Sequence, residues 1–127
     1  MKGEAFGAGL VLMDSGVRPV ERYGEDGKLV RDRIPQVIRE SGAEPVTYIA
    51  GSREYRTRLR DKLGEEVAEF LEADEAGAPE ELADVLEVVR ALAADLGLDA
   101  DQLEKIRAAK EGERGGFAAR IVWTGNR

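Results

Sequence analysis

Apolar residues recur through the middle of the chain with helical spacing. Leu59, Leu63, Val67, Phe70 and Leu71 follow one another mainly at steps of four and three, which gathers them on one side of a helix turning about 100° per residue. Ser52 is the expected N-cap of this helix and Gly77 its expected end. A second stripe, Leu82, Val85, Leu86, Val89, Leu92 and Leu96, is opened by Pro79 and closed by Gly97. Upstream, Pro35 and Gly42 bracket a short helix over Ile34 to Ser41, and Val46 to Ala50 read as extended. Downstream, Asp99 with Gln102 forms a capping-box signal for a last helix through about Lys110. The pattern predicts an all-α domain over residues 28–127, built on an antiparallel helical hairpin.

The two ends read differently. The first 27 residues hold six glycines and one proline without a helical period. They are expected to form an arm, loose or with a strand around Gly9 to Met13, and Met13 is an alternative start. Beyond the last helix, Arg120-Ile121-Val122-Trp123 has the composition of a strand.

Composition narrows the chemistry. At 127 residues the chain is of single-domain size. It contains no cysteine and no histidine. Disulfides, thiol nucleophiles, imidazole bases, cysteine- or histidine-ligated zinc and histidine-ligated di-iron sites are thereby excluded. Carboxylate, amine, guanidinium, hydroxyl and activated water remain. A net charge of -7 argues against a nucleic-acid polymer as partner and favours a small molecule. No stretch reaches the roughly 20 apolar residues that a membrane span requires. Lys2 is offset by Glu4 and no small-residue cleavage site follows the apolar run, so a cytoplasmic protein is expected.

The strongest chemical signal is acidic. Glu65-Glu66-x-x-Glu69 lies on the first long helix and Glu81-x-x-Asp84 on the second. The connection between the helices is short, so they should pair as a hairpin. Glu66 and Glu69 then share one flank of the first apolar face, and Glu81 and Asp84 a flank of the second. At about 1.5 Å per residue, Glu69 and Asp84 stand at similar distances from the turn. Four carboxylates can converge there, with Glu65 beside them. Oxygen-only ligation favours Mg²⁺, with Mn²⁺ as the other candidate. An acidic run alone is usually a solvated helix face. Here a second acidic pair faces it across the hairpin, and both flank apolar stripes.

These motifs resemble the signature of the MazG-like all-α nucleoside triphosphate pyrophosphatases, EExxE followed by ExxD on consecutive helices. Lys28-Leu29-Val30-Arg31-Asp32-Arg33-Ile34-Pro35, and Lys110 with Arg114-Gly115-Gly116-Phe117, are similar to the subgroup related to phosphoribosyl-ATP pyrophosphohydrolase. The resemblance covers about residues 28 to 123. It implies Mg²⁺-dependent hydrolysis between the α and β phosphates of a nucleotide, giving a monophosphate and pyrophosphate. It also implies Glu66, Glu69, Glu81 and Asp84 as metal ligands, with Glu65 a further ligand or the base for water. Without histidine, water must be activated by a carboxylate or by metal coordination, which agrees with that assignment.

Phosphates also need cations. Lys28, Arg31, Lys110 and Arg114 are the candidates for substrate binding, and the two glycines after Arg114 would let backbone approach a phosphate. Each has a plainer reading as a surface charge or a helix-end cation. Lys62, one turn before Glu66, reads as an ion-pair partner, and Tyr48 and Trp123 read as core. Two long and two short helices make a thin core, so a homodimer is expected. Two alternatives stand beside the nucleoside triphosphate reading: phosphoribosyl-ATP hydrolysis in histidine synthesis, and a non-catalytic helical interaction module.

Overall fold

The protein is represented by a computed structural model that describes residues 27–127, so the arm and strand expected around Gly9 to Met13 lie outside the described residues. Four helices follow in order: α1 Ile34–Glu40, α2 Ser52–Glu72, α3 Ala78–Asp95 and α4 Ala100–Arg114. No strand occurs among the described residues, and the fold is all-α. The Arg120 to Trp123 segment is not a strand: its backbone turns at Arg120, with φ 61°, and Ile121, Val122 and Trp123 are exposed. Strand composition needs a partner ladder to become a strand, and none is present among the described residues.

The ends of α1 and α3 and the start of α4 follow the sequence closely, whereas α2 stops at Glu72, well before the expected Gly77, which is instead the N-cap of α3. In α1, Gly42 takes φ 101°, its N–H donates to the Arg39 carbonyl at 3.0 Å and the Ala43 N–H donates to Ile38 at 3.3 Å. The same Schellman arrangement closes α3. Gly97 takes φ 85° and donates to Ala94 at 2.9 Å, while Leu98 donates to Ala93 at 2.9 Å. At α4 both halves of the capping box form, Gln102 N–H to Asp99 Oδ1 and Asp99 N–H to Gln102 Oε1, each 2.8 Å. That helix runs on to Arg114, a turn beyond the expected end near Lys110. Ser52 is the first residue of α2, and Gly51 supplies the first accepting carbonyl, to Tyr55 at 2.8 Å. The expected cap is therefore one residue late. Between α2 and α3, Asp74 Oδ1 accepts from the Gly77 N–H at 2.8 Å and holds the turn.

The chain divides into two compact units, one up to Arg58 and one from Leu59 to Arg127. The first contains α1, the stretch without regular secondary structure before α2 and the opening turns of α2. The second contains the rest of α2, α3 and α4, with α4 packed on α3. Its core is small: Leu59, Val88 and Ala93 are the buried hydrophobic residues among those described. Leu82, Leu86 and Leu96, expected on the inward stripe, are at least half exposed, as is Leu71. The inward line of α3 runs instead through Glu81 and Val88, which lie within about 20° of each other around the helix. Tyr48 and Trp123 are also exposed, not core as expected, because their segments stand outside the helical packing.

Substitution at Gly97 isolates the cost of the α3 terminus. A Cβ there would meet no atom within 4 Å, so only the left-handed backbone opposes it. Gly97→Ala is expected to lower stability by about 1–2 kcal/mol. A urea midpoint equal to that of the wild type would contradict this.

Candidate metal centre

The turn from Ala73 to Gly77 returns α3 alongside α2, and the acidic residues meet where the two helices approach. Oxygen atoms of Glu65, Glu66 and Glu69 lie within 4.8 Å of one another, and so do oxygens of Glu66, Glu81 and Asp84. Glu66 belongs to both groups. The two motifs are therefore joined through one carboxylate, as their register on an antiparallel hairpin requires.

Glu66 is placed more deeply than a flank position would allow. It follows Leu59 by seven residues, which returns it to within about 20° of that side chain around α2. Leu59 is 3% exposed and Glu66 7%. A charged group so placed loses hydration and must find compensation nearby. Lys62 supplies part of it: its ammonium lies 3.3 Å from Glu66 Oε2 and 3.4 Å from Glu65 Oε1. Burial still dominates and pushes the Glu66 carboxyl above the ordinary glutamate range; Lys62 opposes that rise, and Asp84 and Glu65 add to it.

Oε1 of Glu81 is buried and has no hydrogen-bond partner. A buried carboxylate oxygen without a donor is costly, and a cation is the ligand that such an atom accepts most readily. The donor set consists of carboxylate oxygens only, which suits a hard divalent ion. The residues present thus fit a cation of the Mg²⁺ or Mn²⁺ type.

The basic candidates are distributed differently. Lys28 and Arg31 are exposed in the first unit, ahead of α1. Lys110 and Arg114 are exposed on the last turns of α4, where Arg114 Nε stands 3.7 Å from Glu113 Oε1. Lys62 is the neighbour of the acidic cluster that the sequence assigned only to a local ion pair. Its i, i+3 and i, i+4 relation to Glu65 and Glu66 was the available signal, but not the depth at which the pair sits.

A family model for phosphoribosyl-ATP pyrophosphohydrolase matches residues 30–111. The chain belongs to the phosphoribosyl-ATP pyrophosphohydrolase family. The matched segment holds all five acids, Arg31 and Lys110, and the membership agrees with the MazG-like resemblance of the motifs. A protein of Mycolicibacterium smegmatis described as uncharacterized is 53% identical over 47 residues, 37% of this chain and 48% of that protein. The chain thus spans about half the length of this curated relative. No solved structure matches. No helix among the described residues is long and apolar enough to cross a membrane.

The burial of Glu66 has a pH signature in metal-free protein. Because its folded-state pKa is raised, the unfolded chain releases this proton first as pH climbs past the ordinary glutamate value. Stability is therefore lost through the interval from that value up to the folded one, and the loss persists above it. In the presence of a chelator, the melting temperature of the wild type should fall relative to Glu66→Gln as pH rises through that interval. A constant difference between the two proteins, or the opposite trend, would be inconsistent with a buried, unneutralised carboxylate.

Proposed function

We propose that the protein is a Mg²⁺-dependent nucleotide pyrophosphohydrolase that cleaves a nucleoside triphosphate between its α and β phosphates. The observation carrying this reading is the convergence of both acidic motifs on Glu66, with the orphaned Oε1 of Glu81 inside the cluster. Family membership supports the same reaction class.

In this reading Glu66, Glu69, Glu81 and Asp84 hold the divalent ion. When bound, the ion neutralises charge on the phosphate oxygens and eases deprotonation of water. Glu65, half-buried beside Glu66, accepts a proton from the attacking water, and Lys62 holds its carboxylate in place. The bond between the α phosphorus and the bridging oxygen, or between that oxygen and the β phosphorus, breaks; both routes give monophosphate and pyrophosphate. Lys28, Arg31, Lys110 and Arg114 bind substrate phosphates. Arg is suited to this because its planar fork can engage two phosphate oxygens at once. The proposed setting is cytoplasmic, where nucleotides and Mg²⁺ are abundant.

A homodimer is part of the proposal. An apolar groove of about 470 Å³ runs along α3, lined by Pro79, Leu82, Ala83, Val85, Leu86 and Val89. In this groove Pro79, Leu82, Ala83 and Leu86 are exposed and Val85 and Val89 half-buried, and a second copy of the same hairpin offers a matching stripe. Light scattering coupled to size exclusion should give twice the 13.9 kDa chain mass at micromolar concentration. A monomer mass would rule the dimer out.

The activity is tested with Mg²⁺ and a panel of ordinary, deoxy and modified nucleoside triphosphates together with phosphoribosyl-ATP, resolving pyrophosphate from orthophosphate. Pyrophosphate with monophosphate is the expected product pair for at least one triphosphate. Asp84→Ala should reduce turnover about a hundredfold or more while the protein stays folded. Orthophosphate as the sole released phosphate, or full activity in the variant, would overturn the assignment.

A further inference from the structure

The first unit contains a hydrogen-bonded cluster that the proposed chemistry does not use. Its centre is Arg58, on the second turn of α2, whose side chain is 18% exposed. All three guanidinium nitrogens are engaged. Nε donates to Glu54 Oε2 at 3.0 Å, Nη1 donates to the Gly27 carbonyl at 3.0 Å, and Nη2 donates to the Tyr48 hydroxyl at 3.2 Å and lies 3.0 Å from Glu54 Oε2. The Tyr48 hydroxyl in turn donates to Glu54 Oε2. Glu54 is held below the ordinary glutamate range, first by the Tyr48 hydrogen bond and then by Arg58. It is therefore ionised over the neutral range and keeps both donors.

The partners come from three separated parts of the chain. Glu54 belongs to α2, Tyr48 to the stretch without regular secondary structure before it, and Gly27 lies 31 residues upstream of Arg58. Gly27 takes φ 63° and immediately precedes Lys28, with Arg31 three residues further on. Between Gly27 and α1 the chain has no regular secondary structure beyond a turn, in which the Ile34 N–H donates to the Arg31 carbonyl at 3.0 Å. An irregular segment of this kind needs an anchor at each end if its side chains are to keep one position. α1 supplies the anchor at one end. The Gly27 carbonyl, fixed by Arg58, supplies the other.

We propose that Arg58 is a positioning residue, which ties Gly27 to α2 so that Lys28 and Arg31 are held ready for the phosphates of the substrate. The inference rests on the phosphate-binding role assigned above to Lys28 and Arg31. Preorganisation raises affinity by removing an ordering cost that binding would otherwise bear. Lysine cannot replace Arg58 here. An ammonium carries the charge but lacks the planar fork that reaches a carboxylate, a hydroxyl and a carbonyl in three directions at once.

The test is a double-mutant cycle on binding of an α,β-methylene nucleoside triphosphate with Mg²⁺, followed by calorimetry. Arg58→Lys is expected to weaken binding about tenfold, a loss on the scale of one well-placed charge-assisted contact. The pair Lys28→Ala and Arg31→Ala should weaken it at least as much. Adding Arg58→Lys to that pair should then change little, because its effect passes through the residues already removed. Tyr48→Phe, which keeps the ring and deletes one hydroxyl, should show a smaller effect of the same kind. Hydrogen exchange gives a second readout independent of ligand: amides from Lys28 to Arg31 should exchange faster in Arg58→Lys, while those of α3 and α4 are unchanged.

The outcomes separate the two levels of the reading. If the wild type binds but the Lys28 and Arg31 pair has no effect, the phosphate role of those residues fails. If the pair matters but Arg58→Lys is silent, or its effect adds in full to theirs, the positioning role fails and Arg58 serves stability alone.

Discussion

A buried carboxylate governs this structure. Glu66 occupies the same line of α2 as Leu59, the most buried apolar side chain of the small core, and it is almost as deeply covered. Apolar burial at that position would have stabilised the hairpin directly, by about 1.5–3 kcal/mol for a Leu-sized side chain. The chain instead places a charge there and sets other acids within reach of it. Lys62 relieves only part of the cost, since the carboxyl remains pushed upward by burial. A divalent cation would complete the compensation, and the proposed phosphate chemistry would follow from holding it between these carboxylates.

The same constraint shapes the packing. The line of α3 that turns inward carries Glu81 beside Val88, so the hairpin spends its interior on carboxylates. Leucines that a purely structural hairpin would bury, Leu82 and Leu86, are left along an open apolar groove. The proposed dimer and the proposed metal site are therefore two consequences of one choice. A helix has a limited inward arc, and acids placed there displace apolar cover to another face.

Much of this was legible in the chain. Helix boundaries followed from Pro35, Gly42, Gly97 and the Asp99–Gln102 box, because these residues act through local backbone geometry. The acidic motifs were legible through spacing, since the three-residue steps Glu66–Glu69 and Glu81–Asp84 and the short turn at Asp74 to Gly77 limit which carboxylates can meet. Which face of α3 turns inward was not. Leu82 and Leu86 are as apolar as Val85 and Val88, and periodicity cannot tell an interior face from an interface. The strand-like Arg120 to Trp123 misled for a related reason: composition reports preference, while a strand needs a neighbour. The Arg58 cluster was invisible in the sequence, because Gly27, Tyr48 and Arg58 meet through tertiary geometry and no local pattern joins them.

The central claim is that the carboxylates around Glu66 form a divalent-cation site, and direct binding measures it independently of any substrate. Equilibrium dialysis with Mn²⁺, comparing the wild type with Glu81→Gln, removes the charge from the carboxylate whose Oε1 is buried without a hydrogen-bond partner while keeping its shape. Saturable binding by the wild type that is lost or weakened at least about tenfold in the variant is the predicted result. No saturable binding by the wild type, or equal binding by both proteins, would contradict it.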